Sequence, residues 1–315
     1  MNLSIIIPHF NGSQLIEKLL ASIPNDKNIQ TIIVDDQSEL FHLKAIELLK
    51  SKYNFEFYQN NKIKSSGLCR NIGIKKAKGK WIIFADSDDY FIDGFYTTII
   101  NYFDSKNDII FFSPTSRYID TGKFADRHLS FQKIIRNYLS DKSKKNELML
   151  RYNFISPWSK MIKKEFLDNH NIRFDEGPIG AEDVMLSTQI GYFMKIFDVC
   201  DHAIYCRIVR HGSITRVFNE DQFDIRLHAR VSRIKFLNTN LSHLELNIIM
   251  KSFLYNKATE FLLLSFRRFG LKKLIQVINL YKRENIKWFR LIYLNPFKII
   301  KYVLYELINY FKNNK

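Results

Sequence analysis

Asp86, Ser87, Asp88 and Asp89 end a short apolar run, Trp81-Ile82-Ile83-Phe84-Ala85, that is entered through Gly79. Three carboxylates within four residues repel one another and lose hydration together, unless a cation or a metal-bound phosphate lies among them. Oxygen ligands at this spacing suit Mg or Mn better than Zn. The plainer alternative is a turn in which Asp86 or Asp88 only caps the helix that follows. Asp35 and Asp36 close a second apolar run, Gln30 to Val34, in the same way. Glu182 and Asp183 form a third acidic pair, just ahead of Val184, Leu186, Ile190 and Phe193 at helical spacing. Acids in a first helical turn are stabilised by the helix dipole, which alone would account for this last pair.

The elements that must position these acids can be read from periodicity. Leu3 to Ile7 is an apolar strand stopped by Pro8, and Asn11 with Gln14 has the spacing of a capping box. Leu15, Ile16, Leu19, Leu20 and Ile23 recur as on a helix. Gln30 to Val34 is the second strand, His42 to Lys52 a short helix and Phe55 to Gln59 the third strand. Ser65, Ser66 and Gly67 open a helix through Leu68 to Lys78, with Gly79 as its stop, and that helix delivers the chain to Trp81 to Ala85. Strands alternating with helices predict a mostly parallel sheet with right-handed crossovers. Three strand ends, at Pro8-His9-Phe10-Asn11, Asp35-Asp36-Gln37-Ser38 and Asp86 to Asp89, then meet at one edge, where open α/β sheets bind ligands.

Composition narrows the partners. The chain has 315 residues, 46% of them apolar and 25% charged, as in a folded globular protein of one large domain with an appendage or of two domains. Its formal charge of +16 calls for an anionic partner. Residues 251 to 315 hold 14 Lys and Arg against three acids, so +11 of the +16 lies in the tail. Cys69, Cys200 and Cys206 have no zinc-type spacing and suit free thiols in a reducing cytosol. Met1 leads almost directly into a strand, which predicts no secretory signal, and no run of 18 uncharged residues predicts a membrane-spanning helix.

The segments SIIIPHFN, IIVDDQS, GLCRNIGIKKAKGKWIIFADSDDYF, PWSKMIKKEFL with IRFDEG, and AEDVML resemble, in order and spacing, the nucleotide-sugar glycosyltransferases of family 2, which have the GT-A fold. The resemblance runs from Leu3 to about Arg216. It implies an α/β catalytic domain over 1–216, a Rossmann-like mixed sheet flanked by helices, with a basic helical C-terminal region over 217–315. It further implies that Pro8 and His9 line a base pocket, and that Asp35 or Asp36, with Asp36 preferred, accepts from uracil N3. Arg70 would reach the base or diphosphate, and Gly67 and Gly73 would serve close packing. Asp86, with Ser87 beside it, would approach the ribose, while Asp88 would coordinate a Mn or Mg ion bridging the phosphates. Asp89 is expected to support that site or cap the next helix. Asp183 would be the general base, assisted by Glu182. Trp158 offers either a sugar-stacking face or core packing, and Arg207, Arg210 or His211 could close over the diphosphate, His211 also being a candidate metal ligand. The chain departs from the family pattern at Gln37, where glycine is usual.

The resemblance implies inverting transfer of a hexose or N-acetylhexosamine from a UDP-sugar to a hydroxyl of a glycan or lipid-linked glycan, in cell-surface polysaccharide synthesis. The tail reads as amphipathic helices; Phe297, Ile299, Ile300, Val303, Leu304, Leu307 and Phe311 form an apolar stripe among lysines. Such a stripe suits an anionic membrane surface, and packing on itself or on a second subunit is the alternative. A cytoplasmic protein, peripheral on the inner face of the membrane in the first case, is expected. A nucleic-acid-binding protein would leave the strand-end acids unexplained, and no nucleic-acid motif is present. The turn after the first strand lacks G-x-G-x-x-G, against an NAD enzyme. Sugar-phosphate nucleotidyl transfer shares the sheet and the metal, but its Gly-rich, Lys-bearing first loop is missing.

Overall fold

Leu3 to Ile7 are buried on both faces, which a strand achieves only inside a sheet covered by helices on either side. The computed structural model describes residues 1–177, 181–210 and 219–286. In it this run is β1 (Leu3–His9), followed by α1 (Ser13–Ala21), β2 (Ile29–Asp35), α2 (Leu40–Leu49), β3 (Glu56–Gln59), α3 (Ser66–Lys76) and β4 (Trp81–Phe84). β1 pairs in parallel with β2 and β4, and β2 with β3. Leu3, Ile5 and Ile7 join Ile16 and Leu19 of α1 on one face, while Ile6 joins Cys69 and Ile74 of α3 on the other. Alternation along a single strand thus feeds both cores.

The chain continues through β5 (Tyr90–Phe91), α4 (Phe95–Ile99), β6 (Ile109–Tyr118), α5 (Leu129–Ser140), α6 (Lys144–Asn153), β7 (Lys160–Lys163), α7 (Lys164–Asn169), α8 (Glu182–Phe193) and β8 (Phe197–Val209). The sheet order is β3-β2-β1-β4-β7-β6-β8-β5. β7 enters antiparallel between β4 and β6, so the sheet is mixed, with most of its pairing parallel as expected. The parallel strands leave β1 in opposite directions, which puts the ends of β1, β2 and β4 at the switch point of an open α/β sheet.

Close approach, not substrate contact, explains two glycines of α3. A Cβ at Gly67 would lie 2.1 Å from the Asp175 carbonyl oxygen, and one at Gly73 would lie 2.3 Å from Ile6 Cγ2. Two local expectations are corrected. Asn11 does not cap α1, because its Oδ1 accepts from the Glu39 N–H and so ties the β1 turn to the β2 turn. Gly79 does not stop α3, which ends at Lys76; it lies against β1, where its N–H donates to Ser4 Oγ at 2.9 Å.

The chain divides into two compact units, Met1–Arg233 and Ile234–Lys315. The division expected near Arg216 lies outside the described residues. α9 (Glu220–Asn240) starts in the first unit and ends in the second, where α10 (His243–Ile249) and a long α11 (Tyr255–Arg283) follow. Ser242 and Glu245 form a capping box at the start of α10, and α11 is kinked at Gly270. No described helix is long and apolar enough to cross a membrane. The stripe from Phe297 to Phe311 lies outside the described residues.

Candidate active site

The ends of β1 and β2 are locked together by buried polar groups. His9 Nδ1 lies 2.8 Å from Asp35 Oδ1, and His9 Nε2 accepts from the Gly12 N–H at 3.2 Å. Ser38 donates its hydroxyl to Asp35 Oδ1 and its N–H to Asp35 Oδ2. Burial alone would raise the Asp35 pKa, but the donors of His9 and Ser38 outweigh it and hold the carboxyl below its ordinary value. Asp35 is 0% exposed and His9 1%. At the rim where a donor contact is expected, both residues therefore spend these atoms on the two turns. Pro8 is partly buried beside them, and a Cβ at Gly12 would lie 3.6 Å from Ser87 Oγ, so Ser87 faces the same turn.

Asp36 connects this rim to α3. Its Oδ1 accepts from Asn60 Nδ2 at 2.7 Å and from the N–H of Ser65, the N-cap of α3, at 3.1 Å. One helical turn further, Arg70 reaches two acids that are far apart in sequence. Its NH2 donates to Asp86 Oδ1 at 2.8 Å and its NH1 to Glu182 Oε1 at 3.3 Å. Ser66 Oγ donates to the same Glu182 oxygen. Burial pulls the Arg70 pKa down, and the carboxylates of Asp86 and Glu182 more than reverse this, so the guanidinium stays charged. Asn71 clamps the approach to α8, donating to the Phe174 carbonyl at 3.0 Å and accepting from the Phe174 N–H at 2.9 Å.

Behind Asp86 a relay fixes the end of β4. The Asp86 N–H donates to Tyr205 Oη at 2.8 Å, Tyr205 donates to Asp89 Oδ2 at 2.7 Å, and the Ile208 N–H donates to Asp89 Oδ1 at 2.7 Å. Asp89 is therefore a buried brace to β8 and not a helix cap. Burial, then Asp88 and Asp86, push its carboxyl well above the ordinary range. Asp88 is raised by burial and by Asp86, against the opposing pull of Arg210, whose Nε lies 2.9 Å from Asp88 Oδ2.

Asp183 stands in the first turn of α8, whose N-cap Ala181 offers no side-chain oxygen. Burial and the neighbouring Glu182 push its pKa up to about 6, while Arg70 opposes them. A carboxylate that titrates there is matched to general-base work near neutral pH. Contacts thus link Asp36, Ser65, Ser66, Glu182, Arg70 and Asp86 along one rim.

Other expectations divide. Trp158 is 5% exposed, stacked on Tyr205 with ring centroids 5.7 Å apart and edge-on to Phe131. That settles it as a core residue, without a face for a sugar. Arg207, opposite Ser116 on β8, makes no ion pair with the rim acids among the described residues. His211 lies outside the described residues. Tyr205, Ser66 and Lys160 carry no signal in the sequence, since only contacts distant along the chain reveal what they hold.

The donor set suits a hard divalent ion. Asp86 and Asp88 are oxygen donors, burial and then Asp86 raise Asp88, and Arg210 supplies opposing positive charge 2.9 Å from it. Among the described residues no group of three or more His, Cys, Asp or Glu could hold a metal. One or two carboxylates completed by substrate phosphates is the usual Mg arrangement.

Comparison with known proteins agrees with this geometry. Residues 4–170 match Glycosyl transferase family 2. Glycosyltransferase GlyA of Streptococcus pneumoniae is 24% identical over 245 residues, 75% of this chain and 34% of that protein. Poly(ribitol-phosphate) beta-N-acetylglucosaminyltransferase TarS of Staphylococcus aureus is 25% identical over 276 residues, 81% of this chain and 44% of TarS. The chain therefore spans less than half the length of both. The crystal structure of S. aureus TarS 1–349 with UDP-GlcNAc superposes with a TM-score of 0.70 at 22% identity, covering 90% of this chain and 80% of that one. The mannosyltransferase PcManGT of Pyrobaculum calidifontis, in complex with GDP-Man and Mn2+, gives 0.55 at 14% identity, covering 98% and 85%. With a mixed sheet of this order, a matching profile over its first half and an acidic rim at the switch point, the chain is a member of glycosyl transferase family 2 with the GT-A fold.

Proposed function

We propose that the chain transfers a hexose or N-acetylhexosamine from a UDP-sugar to a hydroxyl of a glycan or lipid-linked glycan of the cell surface, with inversion at the anomeric carbon. The observation that carries this reading is the placing of Asp183, raised to about 6, beside Glu182, which Arg70 joins to Asp86 at the donor rim. A base and a nucleotide edge joined by one guanidinium suit direct displacement, in which the acceptor hydroxyl attacks as the diphosphate leaves. The relatives support the donor and acceptor class, TarS by its UDP-GlcNAc complex and by its name as a poly(ribitol-phosphate) sugar transferase.

In this mechanism Asp36 and Ser87 contact the nucleoside and Asp86 the ribose. Asp88, with Asp86, would hold a Mn or Mg ion, which when bound supplies Lewis-acid neutralisation of the departing diphosphate. Arg210 adds positive charge at the same end once it parts from Asp88. Asp183 takes the proton of the acceptor hydroxyl, and Glu182 holds the acceptor. The basic region from residue 217 onward serves acceptor, oligomer or membrane association, and the reaction takes place in the cytoplasm or at the inner face of its membrane.

Release of UDP from a panel of UDP-sugars that includes UDP-GlcNAc, with and without Mn, tests the reading. Turnover of one donor that depends on Mn and is lost in Asp88→Ala is expected. Equal rates for Asp88→Ala and the wild type would remove Asp88 from the site.

A further inference from the structure

Gln37, directly after Asp36, has its backbone in the left-handed region, with φ at +62°. Among the described residues four others that are not glycine have positive φ, and three of these are asparagines, Asn11, Asn171 and Asn285, whose short amides suit that conformation. Gln37 has a longer side chain and, like any residue with a Cβ, incurs a steric penalty there that glycine would avoid. The residue is exposed, so no buried packing offsets the penalty. A strained residue persists only where its surroundings hold it, and such residues gather at functional edges.

What holds Gln37 is a bond across the rim. Its amide Nε2 donates to the Lys62 carbonyl, in the loop between β3 and α3. That loop is built around Asp36. Asn60 Nδ2 donates both to Asp36 Oδ1 at 2.7 Å and to the Ile63 carbonyl at 2.8 Å, and Asn60 Oδ1 accepts from the Lys62 N–H at 2.9 Å. The Ser65 N–H reaches the same Asp36 oxygen at 3.1 Å. Asp36 thus holds the two ends of the loop, at Asn60 and Ser65, and Gln37 holds its middle. Two more contacts close the three turns into a ring. The Asn11 N–H donates to Ser38 Oγ at 2.9 Å, beside Gln37, and Lys64 Nζ lies 4.2 Å from the centre of the Phe10 ring.

We infer that Gln37 is a positioning residue for Asp36: by holding Lys62 it keeps Asn60 on the carboxylate and preorganises the nucleoside edge of the rim, at the cost of a strained backbone. The inference rests on the reading of Asp36 as a nucleoside contact, and the two can be separated.

The experiment is a calorimetric titration of the full chain with UDP in the presence of Mn, paired with urea unfolding. Gln37→Gly and Gln37→Ala both remove the amide, but only glycine relieves the backbone. Gln37→Gly should therefore unfold at higher urea than Gln37→Ala, while both bind UDP about tenfold more weakly than the wild type. Gln37→Glu keeps the length of the side chain but turns acceptor oxygens toward the carbonyl, so it should lose as much affinity. Asp36→Asn should also weaken UDP binding, and adding Gln37→Gly to it should weaken binding no further, because Gln37 acts through Asp36. Circular dichroism checks each fold, and Asp36→Ser replaces Asp36→Asn if the latter does not fold. Equal urea midpoints for Gln37→Gly and Gln37→Ala, affinity losses that follow stability, or a full second loss in the double variant overturn the inference. A loss in Asp36→Asn with none in Gln37→Gly overturns the inference alone. Wild-type affinity in Asp36→Asn overturns the nucleoside reading, and the inference with it.

Discussion

Asp35, wholly buried at the end of β2, and Asp183, half-buried in the first turn of α8, are treated by the fold in opposite ways. Asp35 receives the His9 ring, the Ser38 hydroxyl and the Ser38 N–H, and its carboxyl stays below the ordinary value despite burial. At Asp183 burial, then Glu182 and Asp86, outweigh Arg70, and the carboxyl rises to about 6. Burial alone does not decide the charge of an acid. The count of donors aimed at it does. Asp35 is consequently a structural anion, and Asp183 titrates where the proposed general base would need it to.

The contrast is open to experiment. Asp183→Asn should lower turnover by about a thousandfold while calorimetric binding of UDP stays as in the wild type; a comparable loss of UDP binding would show that the two ends of the rim are not separable. Asp35→Asn should leave chemistry largely in place but lower stability by about 2 kcal/mol in urea unfolding, because it strands the buried partners of the carboxylate. The two acids should also respond to pH with opposite sign. The folded-state pKa of Asp35 is lowered, so the stability it adds is present at neutral pH and is lost as pH falls below the ordinary carboxylate range. That of Asp183 is raised, so the folded chain holds a proton that the unfolded chain has released, and stability falls as pH rises toward about 6. Asp183→Asn removes this penalty and should be more stable than the wild type at pH 8, by on the order of 1 kcal/mol. The smallest effect is in the wild type itself, whose kcat should rise with pH to a plateau with a midpoint near 6.

Much of the donor rim was legible before the fold was known. Strand ends announce themselves locally, since an apolar run that stops at Asp35-Asp36 or Asp86-Ser87-Asp88 places those acids at the same edge of any parallel sheet. At the β2 end the family resemblance prefers Asp36, but that Asp35 is bound to the scaffold was not legible, because it turns on Ser38 and on His9 from another strand end. Trp158 read equally as a sugar platform or as core, and only its stacking on Tyr205 decides. Nothing in the segment PWSKMIKKEFL shows that Lys160 reaches Ser187 on a distant helix.

By itself the sequence determined the alternation of strands and helices, the acidic strand ends and the family, because each is written in residues adjacent in the chain or at fixed spacing. Only the tertiary structure decided which of those acids are spent on the scaffold and which remain for chemistry. Ionisation depends on desolvation and on neighbours such as Arg70 and Glu182, which stand 112 positions apart and become neighbours through folding alone.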